Sequence, residues 1–128
     1  LIEKTEENRA EQRLVLDSTV WFSGRGAERL PGVMMDISSH AMAFCCGSGD
    51  GCPWFGKELT ARFDVPRLGF SPVQSRVTFN RKCKVFRVED ISESFRKVVV
   101  SFDRPLFFKP AEQGFSESET KQRIEAMV

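Results

Sequence analysis

The sequence lacks a dominant charge: 19 lysines and arginines stand against 18 aspartates and glutamates, a formal net charge of +1. A near-neutral chain gives no global attraction to nucleic acid or to an acidic membrane, so any anion site must be local. It also lacks any apolar run long enough for a signal peptide or a spanning helix, which argues for a cytoplasmic protein without direct membrane insertion. Histidine occurs once, as His40, and the 4 cysteines, Cys45, Cys46, Cys52 and Cys83, do not fall into the twice-repeated close pairs of a zinc site. Cys45 and Cys46 are adjacent and would project to opposite faces of a strand, so they cannot easily share a metal. Free thiols are the expectation. A Cys/His nucleophile pair would need an orienting third group and an oxyanion site, and neither is signalled. No metal, no cofactor and no enzymatic constellation are therefore expected.

What is present is one domain's worth of chain, 128 residues with 41% hydrophobic content, enough to enclose a core without staples. Residues 1–12 are charged and read as a frayed helix or mobile arm. From Arg13 onward, Leu14, Leu16, Val20 and Phe22 alternate with Val15, Asp17, Thr19 and Trp21, the period-two pattern of a half-buried strand that ends at Ser23-Gly24-Arg25-Gly26. Val33, Met35 and Ile37 are expected to share one face of a second strand, and Met42, Phe44 and Cys46 one face of a third. Ser38-Ser39-His40 makes the turn between them.

The segment from Gly47 to Gly56 reads as a loop longer than a hairpin needs. Leu59, Ala61, Phe63 and Val65 define a fourth strand that Pro66 is expected to end, and Pro72 is expected to open the next. Val77 and Phe79 lie on one parity and Phe86 and Val88 on the other, which predicts a bulge near Asn80 to Cys83. A last strand from about Phe95 to Phe102 turns Val98, Val100 and Phe102 inward. Six short strands without intervening helices predict a mostly β fold, an antiparallel barrel or sandwich, with closure favoured because it removes exposed edges. Ser116-Glu117-Ser118-Glu119 has the form of a capping box and predicts a short C-terminal helix to about Met127. The expected organisation is an arm over 1–12, a barrel over 13–110 and a tail over 111–128.

Two features do not follow from core packing. Arg9-Ala10-Glu11-Gln12-Arg13 is an RxxxR ahead of the first strand, and Asp36-Ile37-Ser38-Ser39-His40-Ala41 lies at the turn after the second. One chain reversal separates them, so in an antiparallel sheet they belong at the same end. Together they resemble the PilZ family of bacterial cyclic di-GMP receptors, whose signature is RxxxR followed by (D/N)xSxxG on a six-stranded split-type barrel. Gly32 to Ser38, Gly56 to Phe63, Lys84 to Val88 and Val98 to Phe102 are similar to strands of that family, so the resemblance runs from about Asn8 to Arg104.

The resemblance implies a signalling receptor whose ligand, cyclic di-GMP, orders the arm against the barrel for a downstream protein or attached domain to read. It assigns Arg9 and Arg13 as clamps, because a guanidinium forks onto a guanine edge or chelates phosphate where lysine offers only a point charge. It assigns Asp36 as acceptor for the guanine N1–H and amino edge and Ser38 as a hydroxyl donor. Ala41 stands where the family pattern has glycine; a positive φ there would cost alanine about 1 kcal/mol, whereas a need for smallness alone would not. Plainer readings exist for each feature. Arginines four apart occur on solvated helix faces, with Glu6, Glu7 and Glu11 near enough to pair with them, and Asp-x-Ser often bonds its own turn. Two further readings are a degenerate adaptor that binds protein and no nucleotide, and a small nucleic-acid-binding barrel using Arg76, Arg81, Lys82, Lys84 and Arg87 with Phe79 and Phe86 as stacking platforms.

Overall fold

The computed structural model describes residues 11–23, 28–67, 75–113 and 125. Seven strands follow in order: β1 (Leu14–Val15), β2 (Thr19–Ser23), β3 (Arg29–Ile37), β4 (Ala41–Gly47), β5 (Glu58–Arg67), β6 (Ser75–Asp90) and β7 (Phe95–Phe102). They pair antiparallel as β3-β2-β5-β6-β7-β4, and β4 returns to pair with β3, so six strands close a barrel while β1 extends along β3. Closure leaves no free edge among these six. The expected C-terminal helix falls outside the described residues except for Glu125, as does Pro72. Among the described residues no helix is long and apolar enough to cross a membrane.

Period-two alternation builds the core. Val20 and Phe22 of β2, Leu59, Ala61, Phe63 and Val65 of β5, Met42, Phe44 and Cys46 of β4, and Val98 and Val100 of β7 all turn inward and are buried. Phe22, Phe44, Phe63, Phe79 and Phe108 supply bulk there without a polar handle that would need a partner. Phe22 and Phe44 sit 5.0 Å apart between ring centroids, and Phe63 stacks at 5.8 Å from Phe79 and 5.5 Å from Phe102. Gly32 is required between two of these rings. A Cβ there would lie 2.9 Å from Phe44 and 3.0 Å from the Cys45 carbonyl oxygen.

Several expectations about register are corrected. The first strand is broken at Leu16–Ser18, where the chain fits one more residue than β3 does between the pairs Val15↔Asp36 and Thr19↔Val33. Val33 and Met35 do not share the core face with Ile37. The β3–β4 register shifts between Met34 and Asp36, so Met34 and Ile37 point inward and Val33 and Met35 outward. Pro66 does not end its strand but pairs with Arg76 inside β5. On its other side β5 meets β2 only from Ala61 to Phe63, so the missing N–H of Pro66 interrupts no described ladder. The bulge in β6 lies between Val85 and Arg87 instead of Asn80 to Cys83, because Cys83 and Val85 both keep the inward parity of Phe79. Phe86, the displaced residue, is exposed.

Gly32→Ala is expected to destabilise the barrel by about 1–3 kcal/mol, the usual range for overpacking, because the obstructing atoms include a backbone carbonyl that cannot rotate away. Urea unfolding reports this as a lower midpoint at unchanged slope; an unaltered midpoint would mean that β3 and β4 separate freely at this point.

Candidate functional site

The turn after β3 is locked from within. The Ser38 backbone N–H donates to the Ala41 carbonyl at 2.8 Å, while the Ser38 hydroxyl oxygen accepts from the amides of His40 and Ala41, each at 3.2 Å. Its surroundings hold it as well. The Phe102 amide donates to the His40 carbonyl and the Leu106 amide to the Ser39 carbonyl, both at 2.8 Å. Ser38 and Ser39 are consequently the buried polar residues of the described chain. The Ser38 hydroxyl thus serves its own turn in this conformation. Ala41 has no positive φ, since among the described residues only Gly56 does. Alanine in the place of the family's glycine therefore carries no left-handed strain.

The β3 bulge sets the direction of Asp36. Residues directly opposite one another on adjacent strands share a face, and Asp36 lies opposite Val15 of β1 and Ala43 of β4. Ala43 is opposite Val99, and Val99 is opposite Arg87 just past the β6 bulge. One outward row thus runs Val15, Asp36, Ala43, Val99, Arg87. It has a carboxylate near one end and a guanidinium at the other, and between them Ala43 and Val99 are fully buried on this face. Arg87 lies 3.6 Å from Glu89 across an exposed pair, which screening by water leaves weak.

The leader meets this row. Arg13 Nη1 donates to Asp36 Oδ1 at 2.8 Å, with both side chains only about a quarter exposed (22% and 25%). Charge-assisted bonds of this kind contribute roughly 1.5–3 kcal/mol. Four of the five N–H donors of a guanidinium are left over from this single bond. Arg9 lies outside the described residues.

Two participants were not singled out from the sequence. Glu11, between the two arginines, does not pair with either of the described cations of the rim. Its carboxylate accepts the Ser39 backbone N–H at 2.7 Å and the Ser39 hydroxyl at 2.5 Å. Ser39 is therefore the serine of the turn that faces the leader. The Gln12 amide donates to Glu112 Oε2 at 3.1 Å, tying the leader to the C-terminal segment. The available signal was the alternation of an extended leader, in which Glu11 and Arg13 share a side and Gln12 takes the other.

Two contiguous cavities of about 380 Å³ each open on the outer face of β2, β5 and β6, sharing Ser18, Thr19, Asp64 and Arg76, and neither touches Arg13 or Asp36. At the rim itself Arg13 and Asp36 are about a quarter exposed and Ser38 and Ser39 are buried. The nucleic-acid arrangement loses one platform, because Phe79 is buried at 4% exposure while Phe86 is open. Of the two cysteines near His40 in the chain, Cys46 points into the core, where burial pushes its thiol up to about 12, while His40 is exposed.

Glu11→Ala removes both acceptors of Ser39. The expected result is faster hydrogen exchange at the Ser39 amide with little change at strand amides such as those of β5, read by nuclear magnetic resonance. Unchanged protection at Ser39 would show that the turn holds this amide without the leader.

No family model matches the chain, and no curated protein matches it. Among solved structures the fold is similar to that of the Bacillus subtilis inhibitor of motility, MotI/DgrA, with a TM-score of 0.57 at 17% sequence identity. The match covers 91% of this chain and 52% of the other, so the chain spans about half the length of that structure. The likeness supports a PilZ-like fold for this closed barrel.

Proposed function

We propose that this chain is a receptor domain for cyclic di-GMP, acting by ligand-dependent fixing of its N-terminal leader and not by catalysis. The observation that carries the reading is the 2.8 Å bond from Arg13 to Asp36, which joins the second arginine of RxxxR to the acidic residue of the Asp-x-Ser turn on one rim. Arg13 retains donors for a phosphate or a guanine edge, and Asp36 retains a second oxygen for the guanine N1–H and amino group. Arg9 supplies the other clamp. Ala41 keeps the turn small, and Ser38 holds its shape. Arg87, at the far end of the outward row, is proposed as a further cation for an anionic ligand.

Glu11 gives the mechanism a competitor. Its carboxylate occupies the two donors of Ser39, and an anionic ligand reaching the turn exchanges with it. The leader is thereby re-seated, and the bond from the Gln12 amide to Glu112 carries the change toward the C-terminal segment. A downstream protein or attached domain reads the altered surface.

A second reading, a degenerate adaptor that binds protein and no nucleotide, is favoured by the same contacts: Arg13 bonds Asp36 and Glu11 bonds Ser39 without a ligand. Calorimetry separates the two. Under the receptor reading, cyclic di-GMP binds the wild type, Arg9→Ala and Arg13→Ala abolish detectable heat, and Arg87→Ala weakens binding by roughly tenfold, in the range of one lost charged contact. Wild-type silence at high micromolar ligand would defeat it. The adaptor reading then predicts that Ala41→Gly restores nothing, since the alanine sits without strain.

A further inference from the structure

Among the described residues, a close approach of two nucleophilic side chains outside the rim lies at the opposite end of β4. Cys46, the last inward residue of that strand, and Cys52, in the loop that follows, have their sulfur atoms 3.8 Å apart. Both are buried, at 5% and 9% exposure. The loop brings them together by its own bonding: the Cys52 amide donates to the Gly49 carbonyl at 3.0 Å, which turns the chain back over the strand end. Gly51 seats it there, since a Cβ at that position would collide with the Leu30 side chain.

We propose that Cys46 and Cys52 are a reversible dithiol–disulfide pair, oxidised by a hydroperoxide. Bonded sulfurs stand about 2.05 Å apart, so the pair must close by less than the diameter of one atom. Gly47, Gly49 and Gly51 give the intervening chain the freedom to do so. A cavity of about 220 Å³ lined by Phe22, Leu30, Pro31, Cys46 and Gly47 opens beside the pair and admits a small neutral oxidant. The remaining thiols are placed otherwise. Cys45 takes the outward parity, opposite Lys97 and Val33, and the Cys83 thiol on β6 donates to the Arg81 carbonyl at 3.3 Å.

The chemistry balances in two steps. One thiol, as its thiolate, attacks the peroxide oxygen, breaking the O–O bond to give a sulfenic acid and an alcohol or water. The second sulfur then displaces hydroxide from the sulfenic sulfur, forming the S–S bond and releasing water. Two thiol hydrogens and two electrons pass to the peroxide. Burial, and next the Cys52 sulfur, push the Cys46 thiol up to about 12, so its thiolate is scarce near neutral pH. The rate through Cys46 rises by about tenfold per pH unit below that value, because the thiolate is the reacting species. The bridge would pin the loop that presents Trp54 and Phe55, both exposed.

This inference does not rest on nucleotide binding. The full chain is treated with hydrogen peroxide, blocked with N-ethylmaleimide and examined by intact mass and peptide mapping. The expected result is loss of two of the 4 free thiols, a single Cys46–Cys52 linkage, full recovery with dithiothreitol, and the same linkage in Cys45→Ser and Cys83→Ser. Linkage through Cys45, sulfinic acid at Cys46 or Cys52 without a bridge, or retention of every thiol would each overturn it. Mapping of the wild type decides the matter even if Cys46→Ser or Cys52→Ser fails to fold.

Discussion

Pairing of β3 with β4 is the constraint on which the rest depends. It turns an open ribbon of strands into a barrel, and it does so through a register that slips by one residue between Met34 and Asp36. A slip of one residue exchanges the two faces of a strand. Without it, the parity of Gly32 and Met34 would carry Asp36 inward, where an ionised carboxylate would lack water and a partner. With it, Ile37 returns to the core and Asp36 comes to the outer wall beside the leader. Gly32 permits the approach, because the backbone of β4 and the Phe44 ring occupy the space a side chain would need.

The rim formed in this way is tied together by two internal pairs. Arg13 is matched by Asp36, and the donors of Ser39 by Glu11. Binding of an anion at such a place is an exchange of partners, so its net strength is the difference between two sets of charged hydrogen bonds and not the sum of new ones. Under the proposed receptor reading, that exchange couples affinity to the position of the leader. It also means that a chain of this design can lose its ligand and keep its fold, since the barrel core makes no call on the rim.

The cysteines divide by their position in the sheet. Cys83 and Cys46 point inward, where desolvation raises both thiols to about 12, helped at Cys83 by Asp103 and at Cys46 by Cys52. Burial of a lone thiol makes it inert, as at Cys83. At Cys46 the same burial is shared with a second sulfur in van der Waals contact, so proximity supplies a reaction that the raised pKa merely slows. Cys45, next to Cys46 on β4, takes the outward parity instead, because successive side chains point to opposite faces.

Sequence alone determined the strand content and much of the core, because alternation over β2, β4, β5 and β7 is a local property: Phe22, Phe44, Phe63 and Val100 could be placed inward from their parity. It also determined that Arg13 and Asp36 would share one end, since one reversal of an antiparallel chain leaves no other choice. Only the tertiary structure decided where registers slip, because the place of a bulge is selected by how two strands fit each other: the parity change along β6 marked a bulge but not its position between Val85 and Arg87, and nothing in β3 marked the slip after Met34 that leaves Val33 and Met35 outward while Ile37 turns inward. It alone joined Glu11 to Ser39, Arg87 to the outward row and Cys46 to Cys52. Each of these contacts spans a loop or a closure, and the distance between two side chains across a closed sheet is fixed by packing of the whole barrel and not by their separation along the chain.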